Sequence, residues 1–129
     1  MSVAVYPVIL SEDNDGYVVQ IPDFRTATEG KDLSDAIFMA RDAIGLLGIE
    51  LEDEGKELPT PFTRKVEKQA GDIETLVDVD FTEYRKKHDN RMVRKNCTIP
   101  YYLNEEAEKR GLNFSRILQE ALTQKMGMN

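Results

Sequence analysis

The side chains best suited to recognise another molecule lie near the C-terminal end of this 129-residue chain, in Val93–Ile99 (VRKNCTI). Arg94, Asn96 and Thr98 alternate there with Val93, Cys97 and Ile99, so a β-strand would put the two sets on opposite faces. Lys95 interrupts the apolar set, although its long stem can carry the charge to a rim. Arg can pair with guanine, Asn with adenine, and Thr can bond a base or touch a thymine methyl, all from a β-ribbon lying in the major groove. These residue types in this alternation point to reading of duplex DNA. A second group, Asn113, Ser115 and Arg116, stands where a helix would begin. Free backbone N–H groups at such a start, helped by the Ser115 hydroxyl or Arg116, can hold a phosphate.

The neighbouring sequence supplies the elements that would position both groups. Pro100 stops a strand and can open a helix in its first turn. Tyr101–Arg110 (YYLNEEAEKR) reads as that helix, and Gly111 suits a left-handed cap. Asn113 is a good N-cap for a second helix, in which Phe114, Ile117, Leu118, Ala121 and Leu122 form an apolar stripe. Roughly 37 residues with one isolated strand cannot bury enough apolar surface to fold alone. The simplest partner is the same strand from a second copy, which makes a twofold ribbon with four helices behind it. Arg94, Asn96 and Thr98 would then be displayed twice on the outer side. The expectation is a strand-helix-helix module over residues 92–129 that dimerises.

Other constellations carry less. Asp13, Asp15, Asp23, Asp78 and Asp80 are the candidates for a Mg²⁺-dependent nuclease site. Asp13 and Asp15, however, sit in SEDNDG, where turn chemistry alone calls for them. Asp78 and Asp80 are the solvent side of an alternating strand. EDNDG is too short for a calcium loop. His88 has no Cys or His near it in sequence, and Cys97 falls on the core side of the ribbon as a small apolar filler. Neither a Ser/His/Asp set nor a phosphate-cradling Gly loop nor a zinc spacing is present. The expectation is a protein that is not an enzyme and uses no cofactor or metal.

The first two thirds of the chain have a different character. Val3–Leu10 (VAVYPVIL) and Tyr17–Ile21 (YVVQI) flank the turn Ser11–Gly16, which predicts a β-hairpin. Pro7 lacks a ladder donor and marks the first strand as an edge or an irregular one. Thr26–Glu29 predicts a short third strand. A helix over Leu33–Glu52 follows, with Leu33, Ala36, Ile37, Ala40, Ala43, Ile44, Leu47 and Leu51 on one face. Asp32 or Ser34 serves its first turn, and Gly55 stands past its end. Thr63–Ala70 is expected to add a short helix within the long connection around LPTP. Leu76–Phe81 (LVDVDF) then alternates as a half-buried strand. This gives a β-β-β-α-β domain over residues 1–83, with one sheet face left to meet something else. Residues 84–91 (YRKKHDNR) read as a linker or a frayed helix. The fold class is α+β.

Charge divides along the same line. Residues 1–82 hold 7 Lys+Arg against 18 Asp+Glu, whereas residues 83–129 hold 10 against 6, within a chain of net charge −7. Such asymmetry suggests either partners of opposite charge, one of which could be a polyanion, or an acidic surface that only keeps the first domain soluble. No apolar run approaches the ~20 residues that span a bilayer, and the start MSVAVYPVILSEDNDG lacks signal-peptide features. A single cysteine rules out an internal disulfide and fits the cytoplasm.

VRKNCTIPYYLNEEAEKRGLNFSRILQEAL resembles the ribbon-helix-helix fold of bacterial repressors. The first half resembles HicB-type antitoxins through YPVILSEDNDGYVVQIPDF, the helix beginning DLSDAI, LPTP and the LVDVDF strand. After Pro22-Asp23-Phe24 the chain runs RTATEG, where members of that family often carry a Pro-Gly-Cys-like turn. The resemblance implies a truncated, inactive ribonuclease H-like N-terminal domain that binds a small basic, HicA-like messenger-RNA-cleaving toxin. It implies further that the C-terminal dimer binds operator DNA and represses the operon encoding both proteins, with a higher oligomer left open. The alternative is a stand-alone repressor with an N-terminal ligand-sensing or oligomerising domain.

Overall fold

The computed structural model describes residues 3–128; Met1, Ser2 and Asn129, the outermost residues of the two expected domains, lie outside them. Two units form along the chain, one reaching Arg91 and the other beginning at Met92. The fold is α+β, with a β-rich N-terminal region and a helical C-terminal one.

In the first unit, β1 (Val3–Asp13) and β2 (Gly16–Ile21) form the expected hairpin across Asn14–Asp15, with Asp13 opposite Gly16. A 3-10 turn at Pro22–Phe24 leads into β3 (Thr26–Gly30). Helix α1 (Leu33–Asp53) then crosses to β4 (Ile73–Asp80), which lies antiparallel beside β1. The sheet order is β3-β2-β1-β4. β1 is therefore an interior strand, and the expectation of an edge at Pro7 is corrected. Pairing with β2 begins only at Ile9, whereas Pro7 is opposite Leu76 of β4. The missing proline donor falls on the side where β2 has already turned away, so no ladder bond is lost.

Alternation places Tyr6, Val8 and Leu10 of β1 on the same side as Val19, Ile21, Val77 and Val79, and all are buried against Ala36, Ala40 and Ile44 of α1. Leu33, expected on that stripe, is exposed at the first position of α1. Two aspartates cap the start of the helix. Asp32 accepts from the Asp35 N–H at 2.8 Å, and Asp35 accepts from the Lys31 N–H at 2.8 Å.

Of the linker and the helix read for residues 84–91, a helix forms as far as His88. Phe81–His88 is a helix, α2, capped by Asp80, whose side chain accepts from the Glu83 N–H at 3.1 Å. Two glycines of α1 make room for it. A Cβ at Gly48 would lie 2.1 Å from the Phe81 ring, and one at Gly45 would lie 2.5 Å from the Tyr84 ring. Phe81 is 1% exposed, and burying a ring of that size contributes about 1.5–3 kcal/mol. Tyr84 adds a hydrogen bond to Asp42 at 2.9 Å. Arg85 reaches Asp53 at 2.9 Å and Asp89 at 3.2 Å.

The expected helix over Thr63–Ala70 does not form. That segment is loop, tied by side-chain acceptors rather than by helical bonds.

The second unit contains α3 (Tyr101–Lys109) and α4 (Phe114–Met126), joined by a tight turn at Gly111, whose φ of 65° suits glycine. The N–H of Leu112 closes this turn on the Ala107 carbonyl at 3.1 Å. The expected strand Val93–Ile99 is absent from the single chain, because no second strand lies beside it to take its backbone hydrogen bonds. Cys97, expected on a core side, is correspondingly exposed.

Candidate functional site

Each unit carries a candidate surface. In the second, Arg94, Asn96 and Thr98 are all exposed in an irregular segment. Asn113, Ser115 and Arg116 are brought together on the first turn of α4. The Asn113 side chain accepts from the Arg116 N–H at 3.0 Å, and the Arg116 guanidinium donates to Glu120 at 3.2 Å. This leaves other N–H groups of the first turn directed outward, the arrangement that takes an anion. The apolar stripe has nothing over it. Phe114, Ile117 and Leu122 are 43%, 44% and 48% exposed, and neither α3 nor α4 has a buried residue.

In the first unit the five acids considered for a metal site have other employment. Asp23 is buried and accepts from the Phe62 N–H at 3.0 Å, the Thr63 N–H at 3.1 Å, the Thr63 hydroxyl at 3.2 Å and the Arg64 N–H at 3.2 Å. It thereby anchors the loop in which Phe62 takes a positive φ of 65°, unfavourable for a side chain of that size. Asp78 is ion-paired with Arg41 at 3.0 Å, Asp80 caps α2, and Asp13 belongs to the hairpin with Asp15 in its turn. Among the described residues no group of three or more His, Cys, Asp or Glu side chains is placed to hold a metal ion.

Beside α2 lies a cleft of about 240 Å³ lined by Phe38, Arg41, Asp42, Tyr84, Lys87 and His88. Its floor is polar. Burial and the Asp42 hydrogen bond raise the Tyr84 phenol to about 12, and His88 stacks on that ring with centroids 4.1 Å apart. The sequence gives no hint of this cleft, since 84–91 shows no apolar period.

The acidic stretch Glu50–Glu57 is partly neutralised within its own unit. Asp53 takes Arg85 and Arg91, Glu52 takes Arg85, and Glu54 takes Lys56. The sheet face away from α1 is a different kind of surface. Cross-strand partners there are Val5 with Asp78, Pro7 with Leu76, and Ile9 with Glu74. Val5 and Leu76 are exposed beside those acids, whereas Pro7 and Ile9 on the same face are buried. With the unit boundary at Arg91, the first unit holds 11 Lys+Arg against 20 Asp+Glu.

Comparison with known proteins bears on the whole arrangement. Residues 6–121 match the model of a family described as "HicB_like antitoxin of bacterial toxin-antitoxin system". An uncharacterized 14.9 kDa protein in the rep-hol intergenic region of Haemophilus phage HP1 is 32% identical over 104 residues, covering 77% of this chain and 75% of that one. Among solved structures, a toxin-antitoxin complex from Streptococcus pneumoniae matches at 25% identity and TM-score 0.58, over 95% of this chain and 99% of that one. The antitoxin HicB of Burkholderia pseudomallei matches at 25% identity and TM-score 0.51, over 92% and 96%. The antitoxin HicB3 shares the fold at 24% identity and TM-score 0.52, over 95% and 97%.

Proposed function

The chain belongs to the HicB-like antitoxin family of bacterial toxin–antitoxin systems, and from that premise we propose that its two units divide the antitoxin's work. Family membership already makes it a non-catalytic protein. The first unit captures and neutralises a small basic toxin of the HicA-like, messenger-RNA-cleaving kind. The second dimerises as a ribbon-helix-helix and represses the operon by binding its operator. The β-β-β-α-β-α order, with the main helix packed on one face of the sheet, supports reading the first unit as a truncated ribonuclease H-like fold. The relative from Streptococcus pneumoniae, described as a toxin-antitoxin complex, supports a toxin as partner.

The observation that carries the DNA-binding half is the bare apolar stripe of α4. A helix pair with no buried residue is not stable in water by itself. A second copy supplies both a cover for that stripe and a strand partner for Val93–Ile99. The paired ribbon then presents Arg94, Asn96 and Thr98 from each protomer to base edges. Asn113, Ser115 and Arg116 hold the flanking phosphate, which fixes register without reading sequence. The acidic first unit and the basic toxin attract each other at long range, and this favours fast capture.

Titration of the full chain into DNA from upstream of its own gene tests the ribbon. Arg94→Ala and Asn96→Ala should each weaken specific binding by about 1–3 kcal/mol, with relaxed base preference. Unchanged affinity in both variants would remove the ribbon as the reading element.

A further inference from the structure

The last strand of the sheet has backbone groups that nothing in the described chain uses. The two-residue turn Asn14–Asp15 closes on the pair Asp13–Gly16, so the odd-numbered residues of β1 exchange hydrogen bonds with β2 and the even-numbered ones with β4. On β4 the bonded residues are then Ile73, Thr75, Val77 and Val79, the register partners of Leu10, Val8, Tyr6 and Ala4. The N–H and C=O groups of Glu74, Leu76 and Asp78 point away from the sheet. The carbonyl of Asp78 confirms this parity, because it accepts from Arg41 Nε at 2.9 Å, while the same guanidinium holds the Asp78 carboxylate at 3.0 Å. Arg41 thus closes one end of the edge and leaves Glu74 and Leu76 open, with no hydrogen bond to their outward groups among the described residues.

An open edge of this length is a template for another strand. The side chains limit which strand fits. Glu74, Leu76 and Asp78 lie on the face away from α1, with Leu76 56% exposed. Lys68 reaches Glu74 only at 4.0 Å. A second copy paired antiparallel about Leu76 needs the outward Asp78 carbonyl that Arg41 already holds in both chains, and a parallel in-register pair would set Glu74 against its like. Like charges directly opposite destabilise a ladder. A basic residue next to an apolar one fits Glu74 and Leu76, Asp78 being already paired with Arg41, and the acidic surplus of the unit attracts the same partner.

We propose that the free edge of β4 takes a β-strand from the basic toxin, with backbone bonds at Glu74 and Leu76 and a basic side chain against Glu74. This rests on the toxin-capture reading above and names the surface that performs it.

The test uses the full chain and, as probe, the small basic protein encoded by the adjoining reading frame. Leu76→Pro removes one outward N–H and crowds the edge, yet leaves the β1 ladder intact, since proline is tolerated where the donor would face solvent. Glu74→Lys keeps the backbone and reverses one charge. Both variants should retain the parent's circular dichroism and DNA affinity. Capture should weaken at least about tenfold in Leu76→Pro, the loss of one or two hydrogen bonds, and several-fold in Glu74→Lys. If Leu76→Pro disturbs the fold, Glu74→Lys decides alone. Capture by folded variants as tight as the parent's would overturn the edge and leave the toxin reading standing. If the parent itself does not bind the probe, both fall. A halved mass of the free chain in Leu76→Pro with capture unchanged would make the edge a contact between copies and also overturn the proposal.

Discussion

Substituting Gly48 by alanine tests whether α2 is seated on α1, because two effects of opposite sign compete there. In an exposed helix interior the change would stabilise by about 0.8–1 kcal/mol, since alanine is the better helix former. At Gly48 the new methyl would stand 2.1 Å from Cε1, 2.7 Å from Cδ1 and 2.9 Å from Cζ of Phe81. That ring is 1% exposed, so it cannot yield without losing burial or entering an unfavourable rotamer. Overpacking of this kind costs about 1–3 kcal/mol, and a contact so short belongs at the upper end. The expected net loss is about 1–2 kcal/mol, a fall in Tm of ~4–16 °C for a unit of this size. Thermal and urea unfolding of the full chain by circular dichroism measures it. Gly45→Ala should cost less, because the Tyr84 ring it meets is only half-buried. Combining Gly48→Ala with Phe81→Leu should recover part of the loss, a coupling of about 1 kcal/mol between touching sites. A Gly48→Ala protein as stable as the parent, or more stable, would refute the packing of α2 described above.

Two further outcomes follow from the same unit. Asp23→Ala should destabilise by about 2–3 kcal/mol, because it orphans donors that now meet a carboxylate; it should also speed tryptic cleavage after Arg64, whereas Asp23→Asn, with one acceptor oxygen left, should fall between. The Tyr84 phenol, raised to about 12 from an ordinary 10.0 chiefly by burial and then by Asp42, holds its proton more tightly folded than unfolded. Its contribution to stability is therefore complete below about pH 10 and lost as pH rises towards 12. Unfolding titrations in that window should be flatter for Tyr84→Phe, and absorbance at alkaline pH should show one late-titrating tyrosine.

Much of the first unit was legible because its signals are local. The hairpin is written in SEDNDG between two apolar runs, and α1 in a 3.6-residue stripe with Asp32 before it. What escaped depends on residues distant in sequence. Gly45 and Gly48 read as neutral positions in a helix until Phe81 and Tyr84 occupy the space they leave. Those two aromatics are separated by polar residues that hide a one-sided helix, so the sequence of residues 84–91 leaves a linker and a frayed helix both open. Asp23 had the chemistry of a metal ligand, but loop 62–64, some forty residues away, fills its acceptor positions with backbone donors. Pro7 signalled an interruption correctly and an edge wrongly, because sequence shows a missing donor without showing which neighbour it faces. For the second unit, alternation over Val93–Ile99 states a strand that one chain cannot pair, and the bare stripe of α4 states the same need for a second copy.

The most direct test of the two-unit antitoxin is the mass of the complex purified after co-expressing this chain with the product of the adjoining reading frame. Native mass spectrometry should give an even number of copies of this chain, held by residues 92–129, together with bound basic toxin. A monomeric chain with no partner attached, at concentrations where the operator is bound, would contradict both halves.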